Sequence, residues 1–162
     1  MKETVYLLLG SNLNNPLQQL AEARKHIERS IGSICSASSV YQTAPWGKTD
    51  QDPFINQVIM VNTALDPRGL LDTIAKIERE LGRERREKWG PRTIDIDVLF
   101  YGRRVVRDKG LEIPHPELHK RAFVLVPLLE IAPEYVHPVL KQAIDELYMN
   151  CDDQSDVVML EN

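Results

Sequence analysis

The strongest strand signal in the chain is Ile94-Asp95-Ile96-Asp97-Val98-Leu99-Phe100-Tyr101. Apolar and acidic residues alternate as far as Val98, and the run is wholly apolar after that point. Successive side chains of a strand point to opposite faces, so the core-facing set is predicted to be Ile94, Ile96, Val98 and Phe100. Asp95 and Asp97 then lie together on the opposite face, with Cα atoms roughly 6.6 Å apart.

Strands and helices alternate in the rest of the chain. Further strands are expected at 5–9, 34–44 and 55–65, with a short edge strand at 105–106. Two helices are expected where Asn15-Pro16 and Asp66-Pro67 place a capping side chain before a proline. Their apolar stripes are Leu17, Leu20, Ala23, Ile27 and Ile31 in the first helix and Leu70, Ile74, Ile77 and Leu81 in the second. A last short helix is expected at about 140–148.

This β-α-β-β-α-β order predicts an α+β fold of the ferredoxin-like type, an antiparallel sheet with both helices on one face. The other face then needs cover, and the loops and the proline-rich C-terminal part are the available material. Residues 1–150 are expected to form a single domain with these C-terminal additions, followed by an acidic tail at 151–162.

Composition excludes several classes of protein. The 162 residues carry 20 Lys and Arg against 24 Asp and Glu, and four of the acids lie in the last twelve residues. The body of the chain is therefore neutral, which argues against a protein that coats nucleic acid. Cys35 and Cys151 make neither a disulfide framework nor a zinc cluster, and the apolar run at 5–9 is too short for a signal peptide or a membrane span. We expect a cytoplasmic protein with no nucleic-acid or membrane partner.

The pair Asp95 and Asp97 indicates a cation site. Two carboxylates in the middle of a strand are disfavoured by propensity and by mutual repulsion. Mg²⁺ takes one or two carboxylates together with water and substrate phosphates, and it would relieve that repulsion. A solvated polar face is the plain alternative, and the strand alone does not decide between the two.

A basic run lies directly before this strand. Residues 83–92 read Arg-Glu-Arg-Arg-Glu-Lys-Trp-Gly-Pro-Arg, with five basic residues against two acidic ones. Most such runs are solvated loops, but arginine binds phosphate in a bidentate manner and this run lies beside the carboxylate pair. The run therefore favours a polyphosphate ligand. Gly47-Lys48-Thr49 does not form a P-loop, because the glycine required at position 42 is Gln42.

Weaker signals come from aromatic and amide side chains. Trp46, Phe54 and Asn56 are suited to stack on a flat heterocycle and to pair with its edge, although the sequence alone favours a core position for Phe54. His115 lies between two prolines, and Arg121 with Phe123 repeats the combination of a cation and an aromatic ring.

Several motifs agree in order and spacing with one known family. They are Leu9-Gly10-Ser11-Asn12-Leu13, Tyr41-Gln42-Thr43-Ala44-Pro45, Phe54-Ile55-Asn56, Glu78-Arg79-Glu80-Leu81-Gly82-Arg83, Trp89-Gly90-Pro91-Arg92-Thr93-Ile94-Asp95-Ile96-Asp97, Ile113-Pro114-His115-Pro116 and Arg121-Ala122-Phe123-Val124-Leu125. From about residue 6 to residue 148, the chain resembles the 6-hydroxymethyl-7,8-dihydropterin pyrophosphokinases of folate biosynthesis. The resemblance implies transfer of diphosphate from ATP to the hydroxymethyl group of a reduced pterin, with release of AMP.

The resemblance also implies roles for individual residues. Two Mg²⁺ ions would bind Asp95 and Asp97, and Arg83 and Arg92 would act on the transferring group. ATP, the co-substrate, would contact Glu78, Arg85, Lys88, Trp89, Arg92, His115 and Arg121. The pterin would lie between Phe54 and Phe123, with its other contacts at Thr43, Ala44, Trp46, Asn56 and Asp95. A monomer with these small-molecule substrates as its only partners is expected.

Two other classes of function fit parts of the pattern. The same element order describes an RNA-binding module, but such a module carries aromatic residues where this chain has Asp95 and Asp97. RNA binding that persists in a chelator would favour that class. A nucleotidyl transferase would use the same carboxylates and release pyrophosphate rather than AMP.

Overall fold

The computed structural model describes residues 2–13, 15–43, 53–82 and 94–160. The strands are β1 Glu3–Ser11, β2 Gly32–Ala37, β3 Tyr41–Thr43, β4 Phe54–Thr63, β5 Asp95–Tyr101, β6 Val106–Asp108, β7 Leu111–Ile113 and β8 Val157–Met159. The helices are α1 Pro16–Ser30, α2 Pro67–Leu81, α3 Ala122–Ile131 and α4 Ile144–Met149, with one 3₁₀ turn at Leu118–Lys120. Within these ranges, no helix combines the length and the apolar character needed to cross a bilayer.

The main sheet is antiparallel throughout and has the order β5-β1-β4-β3-β8, with β2 also pairing to β4. Strands β6 and β7 form a separate hairpin, so the predicted edge strand at 105–106 belongs to a small second sheet. The predicted α+β class and antiparallel sheet are confirmed.

Each face of the main sheet has its own hydrophobic core. The first core packs α1 and α2 on one face through residues such as Leu9, Leu20, Ile59, Ile77 and Ile96. The second core packs α3 and α4 on the other face through Leu8, Val58, Phe100, Leu125 and Ile144. The proline-rich C-terminal part thus supplies the cover that the second face requires.

The two predicted helix starts differ in how they are capped. Asp66 caps α2 as predicted, since its Oδ1 accepts the Gly69 N–H at 2.7 Å. Asn15 makes no side-chain cap to α1 and lies in the left-handed region, with φ of 62°. The stripe of α1 begins at Leu20 rather than Leu17, because Leu17 is 54% exposed.

The prediction of a single strand at 34–44 is wrong, because the chain forms two separate strands there, β2 and β3. At the break, the Ser38 N–H donates to the Val58 carbonyl at 2.8 Å, and Ser38 Oγ accepts the Val58 N–H at 3.0 Å. A serine side chain therefore takes over one rung of the ladder with β4, and the strand restarts at Tyr41.

The prediction that Phe100 lies with Ile96 and Val98 is also wrong. Val98 pairs with Leu7 and Phe100 pairs with Tyr6, so Leu99 is an extra residue in β5. A bulge of this kind reverses the alternation locally, and both Leu99 and Phe100 pack in the second core.

Helix α3 was not expected from the sequence, and the last helix is shorter than expected. Pro127 lies inside α3 and is buried, where a proline removes one backbone donor. Helix α4 begins at Ile144 rather than at about 140, and Leu140 is partly exposed before it.

Candidate functional site

Strand β5 carries the two carboxylates on the α3 side of the sheet. Asp95 lies opposite Gly10, and Asp97 lies opposite Leu8, whose side chain belongs to the second core. Directly opposed residues share a face, so both carboxylates lie on the α3 side, as the alternation predicts. Asp97 is exposed and Asp95 is partly buried.

A row of three residues crosses the sheet at the end of this pair. Gly10 of β1 lies opposite Asn56 of β4 on one side and opposite Asp95 of β5 on the other. With strands about 4.8 Å apart, the Asn56 and Asp95 backbones are about 10 Å apart. A Cβ at position 10 would lie 2.7 Å from Asn56 Nδ2. The glycine therefore leaves room for the Asn56 amide, which is buried between the strands.

Thr43 and Phe54 extend this surface toward the edge of the sheet. They lie opposite each other in the β3–β4 pair, one step of two residues from Asn56. Side chains two residues apart in a strand share a face. Thr43, Phe54, Asn56, Asp95 and Asp97 therefore all lie on the α3 side.

The Thr43 hydroxyl is buried and finds no hydrogen-bond partner within the described part of the chain. Thr43 is only 4% exposed, so this atom is also shielded from bulk water. Buried polar groups in native proteins are normally paired. The hydroxyl is therefore a candidate contact for a ligand on this surface.

His115 and Arg121 lie at the other end of the surface, close to Asp97. Burial lowers the pKa of His115 below its ordinary value of 6.5, Asp97 acts in the opposite direction, and Arg121 adds to the lowering. The His115 backbone N–H also donates to the Leu99 carbonyl at 3.1 Å, which places His115 beside β5 near Asp97. The Glu117 N–H donates to His115 Nδ1 at 3.2 Å, so the neutral ring carries its proton on Nε2.

Arg121 and Phe123 flank the first residue of α3. The Arg121 guanidinium lies over the Phe123 ring, 5.8 Å from its centroid. Both side chains line a cavity of about 840 Å³ together with Lys120 and residues 152–155. The cation and the aromatic ring are thus adjacent, as the sequence suggested.

Glu78 holds strand β5 in place. Its Oε2 accepts the N–H of Ile96, the residue between the two carboxylates, at 2.8 Å. Among the described strands, β5 is at the edge of the main sheet, so the Glu78 side chain takes the place of a strand partner for this N–H. Glu78 therefore has a contact to the carboxylate strand that the sequence did not suggest.

Several of the predicted site residues lie outside the described ranges. They are Arg83, Arg85, Lys88, Trp89 and Arg92 of the basic run, together with Ala44 and Trp46.

Glu130 of α3 is a contributor that the sequence did not reveal. Its carboxylate accepts from the Ser39 N–H, the Ser39 hydroxyl at 3.0 Å and the Tyr41 hydroxyl at 2.6 Å. Burial, and then the bond to Glu130, raise the pKa of Tyr41 to about 12. The contact anchors α3 to the strand that carries Thr43. The partners are about 90 residues apart, so no local sequence signal links them.

Comparison of the sequence with known proteins shows which family the chain is similar to. The family model for 7,8-dihydro-6-hydroxymethylpterin-pyrophosphokinase matches residues 6–133. The 2-amino-4-hydroxy-6-hydroxymethyldihydropteridine pyrophosphokinase of Aquifex aeolicus is 44% identical over 88% of this chain and 89% of its own length. The enzyme of the same name from Haemophilus influenzae is 45% identical over 89% of this chain and 90% of its own length.

Solved structures give the same picture of the fold. The wild-type HPPK-DHPS of Plasmodium falciparum superposes on 92% of this chain with a TM-score of 0.75 at 20% identity. This chain spans 44% of the length of that protein. At this identity the likeness concerns the fold alone.

Proposed function

This chain belongs to the 7,8-dihydro-6-hydroxymethylpterin-pyrophosphokinase family, and from that membership we propose that the α3 side of its sheet is the active site. The reaction is transfer of diphosphate from ATP to hydroxymethyldihydropterin, the activity of this family in folate biosynthesis. The observation that carries the assignment is that Thr43, Phe54, Asn56, Asp95 and Asp97 lie on one face of three strands.

The pterin end of the site is assigned to the β3–β4 side. The buried Thr43 hydroxyl and the Asn56 amide offer hydrogen bonds to the edge of a heterocycle, and Phe54 with Phe123 offers two aromatic faces. Asp95 lies across Gly10 from Asn56 and would contact the same substrate. Ala44 and Trp46, which follow Thr43 in the sequence, complete this proposed set.

The triphosphate end is assigned to the β5 side. Asp95 and Asp97 supply hard oxygen ligands, and no group of three or more His, Cys, Asp or Glu within the described ranges is arranged to hold a metal by itself. Mg²⁺ takes its remaining ligands from water and phosphate, so the pair fits two such ions bound together with ATP. When bound, Mg²⁺ neutralises charge on the phosphate oxygens.

The remaining nucleotide contacts are assigned around this pair. His115 and Arg121 lie beside Asp97, and Glu78, Arg85, Lys88, Trp89 and Arg92 complete the proposed ATP set. Arg83 and Arg92 are proposed to stabilise charge on the transferring group.

The chain's own residues hold the two substrates in line. The pterin hydroxyl attacks the β-phosphorus of ATP, the bond from that phosphorus to the α-phosphate oxygen breaks, and AMP leaves. Such transition states depend mainly on positioning and on charge stabilisation. The reaction therefore requires no strong general base, and none stands out among the residues of this surface that the structure describes.

The test is product analysis with ATP, Mg²⁺ and the reduced pterin. The wild type is expected to form AMP, and Asp97→Ala is expected to lose at least about a thousandfold in rate while staying folded, since it loses a phosphate-bridging ligand. Asp72→Ala, an exposed carboxylate of α2, is the matched control and should match the wild type. Undiminished AMP formation by Asp97→Ala would refute the metal assignment, and pyrophosphate release would indicate a nucleotidyl transferase.

We propose finer points of organisation on the same basis. The strand order and the two covered faces support a ferredoxin-like arrangement with C-terminal additions, with residues 1–150 as its single domain and β8 of the following segment added to the edge of its main sheet. We also propose that the protein is cytoplasmic and monomeric. Sedimentation of the full chain would test the oligomeric state.

A further inference from the structure

Helix α3 begins without a cap of its own. Arg121 occupies its N-cap position and makes no side-chain capping bond. An arginine has no acceptor to offer the first N–H groups, and its positive charge is unfavourable at a helix N-terminus. The helix that carries Phe123 therefore needs an acceptor from elsewhere.

Asp153 supplies that acceptor from 31 residues further along the chain. Its Oδ2 accepts the Ala122 N–H at 2.9 Å, while its Oδ1 accepts from the Ser155 N–H at 2.9 Å and from the Ser155 hydroxyl at 2.6 Å. Partial burial acts to raise the pKa of Asp153, but these hydrogen bonds outweigh it and lower the pKa. The carboxylate is thus held ionised and in a fixed orientation.

The same segment lines the cavity beside the start of α3. Residues 152–155 line this cavity of about 840 Å³ together with Lys120, Arg121 and Phe123. Ala122, whose N–H is held by Asp153, lies between Arg121 and Phe123 in sequence. Fixing this one amide therefore fixes the backbone from which both side chains project.

Beyond Asp153, the segment pairs with β3, the strand that carries Thr43. Val157 of β8 lies opposite Thr43 of β3, and the Leu160 N–H donates to the Val40 carbonyl at 2.9 Å. Residues 151–160, which we name the C-terminal strap, thus connect the start of α3 to the strand that carries Thr43.

We propose that the C-terminal strap sets the distance between Phe123 of α3 and Thr43 of β3, with Asp153 as a positioning residue for substrate binding. This inference rests on the proposed function of that surface. Asp153 acts through α3 and takes no part in the chemistry.

The test compares Asp153→Ala, Asp153→Asn and, as the control from the same strap, Asp156→Ala in the full chain. Asp153→Ala is expected to weaken binding of the reduced pterin, measured with a non-hydrolysable ATP analogue, about tenfold, and to change kcat less than KM. Asp153→Asn keeps an oxygen acceptor for the Ala122 N–H and should stay within about threefold of the wild type. Asp156 is exposed and does not line the cavity beside Arg121 and Phe123, so Asp156→Ala should stay within about twofold of the wild type.

A second readout does not depend on activity. Amide exchange at Ala122 in the ligand-free protein, followed by NMR, should accelerate at least about fivefold in Asp153→Ala and should be unchanged in Asp156→Ala. A lower melting temperature with unchanged pterin affinity would show a purely structural cap and overturn the proposal. If Asp153→Ala does not fold, Ser155→Ala removes one donor to the carboxylate and should weaken pterin binding about threefold; unchanged binding would overturn the proposal.

Failure of the proposed function gives a different result. A wild type that binds no pterin and forms no AMP refutes the proposed function. Amide exchange at Ala122 then tests whether Asp153 of the strap fixes the start of α3. Faster exchange in Asp153→Ala supports the strap, and unchanged exchange overturns it.

Discussion

Replacing Gly10 with alanine tests the row that crosses the sheet at the proposed pterin site. The new Cβ would lie 2.7 Å from Asn56 Nδ2, whereas an ordinary contact needs at least 3.4 Å, so the amide must retreat by about 0.7 Å. Asn56 is only 6% exposed and has little space to move into. A hydrogen bond of about 2.9 Å that is lengthened by this amount is no longer a hydrogen bond.

The expected cost follows from the bonds that the amide offers. An Asn amide can make two hydrogen bonds to the edge of a heterocycle, at about 0.5–1.5 kcal/mol each. Gly10→Ala should therefore cost about 1–3 kcal/mol of pterin binding, or roughly a 5- to 150-fold loss of affinity. Affinity for an ATP analogue alone should change less than about twofold, because the proposed triphosphate contacts lie on the β5 side.

The assay is calorimetric titration of the pterin in the presence of a non-hydrolysable ATP analogue. Asn56→Ala and the double variant complete a cycle that isolates the contact between the two positions. In the Asn56→Ala background the alanine at position 10 should cost little, since the amide that it displaces is absent. Wild-type pterin affinity in Gly10→Ala, or additive losses in the double variant, would refute the reasoning.

Two further predictions concern stability at the extremes of pH. Burial, with a smaller contribution from His119, lowers the pKa of His137 from 6.5 to about 4. The unfolded chain therefore takes up this proton first, and stability should fall as the pH drops from about 6.5 towards 4, by at most about 1.4 kcal/mol per pH unit. Urea titrations should show a shallower fall in His137→Asn, and an equal fall would contradict the assignment. Burial raises the pKa of Tyr135 from 10.0 to about 12, so its contribution is full below pH 10 and is lost between about pH 10 and 12. Tyr135→Phe should lose less stability over that interval, and an unchanged alkaline transition would exclude Tyr135 as its cause.

Local chemistry was sufficient for the elements whose signals are short in range. The Asp66-Pro67 start of α2 and the buried positions Leu70, Ile74 and Ile77 are as predicted. The alternation in β5 likewise placed Asp95 and Asp97 on one face, because a strand has a period of two residues whatever it packs against.

The errors occurred where distant parts of the chain supply a partner. Ser38 breaks a strand by bonding to Val58, and the bulge at Leu99 exists because of the register with β1. Helix α3 receives its missing cap from Asp153, and a window of neighbouring residues contains none of these partners.

The sequence by itself determined the family and the placement of Asp95 and Asp97 on one face of a strand, since each depends on residue type and on spacing of a few positions. Tertiary structure alone decided which side chains stand beside that pair. Asn56 and Asp95 lie on either side of Gly10 only because β1 pairs with both β4 and β5. Asp153 of the C-terminal strap reaches the Ala122 N–H only once α3 covers the second face. The physical reason is that backbone pairing and the burial of two separate cores bring these groups together, and both are properties of the folded chain as a whole.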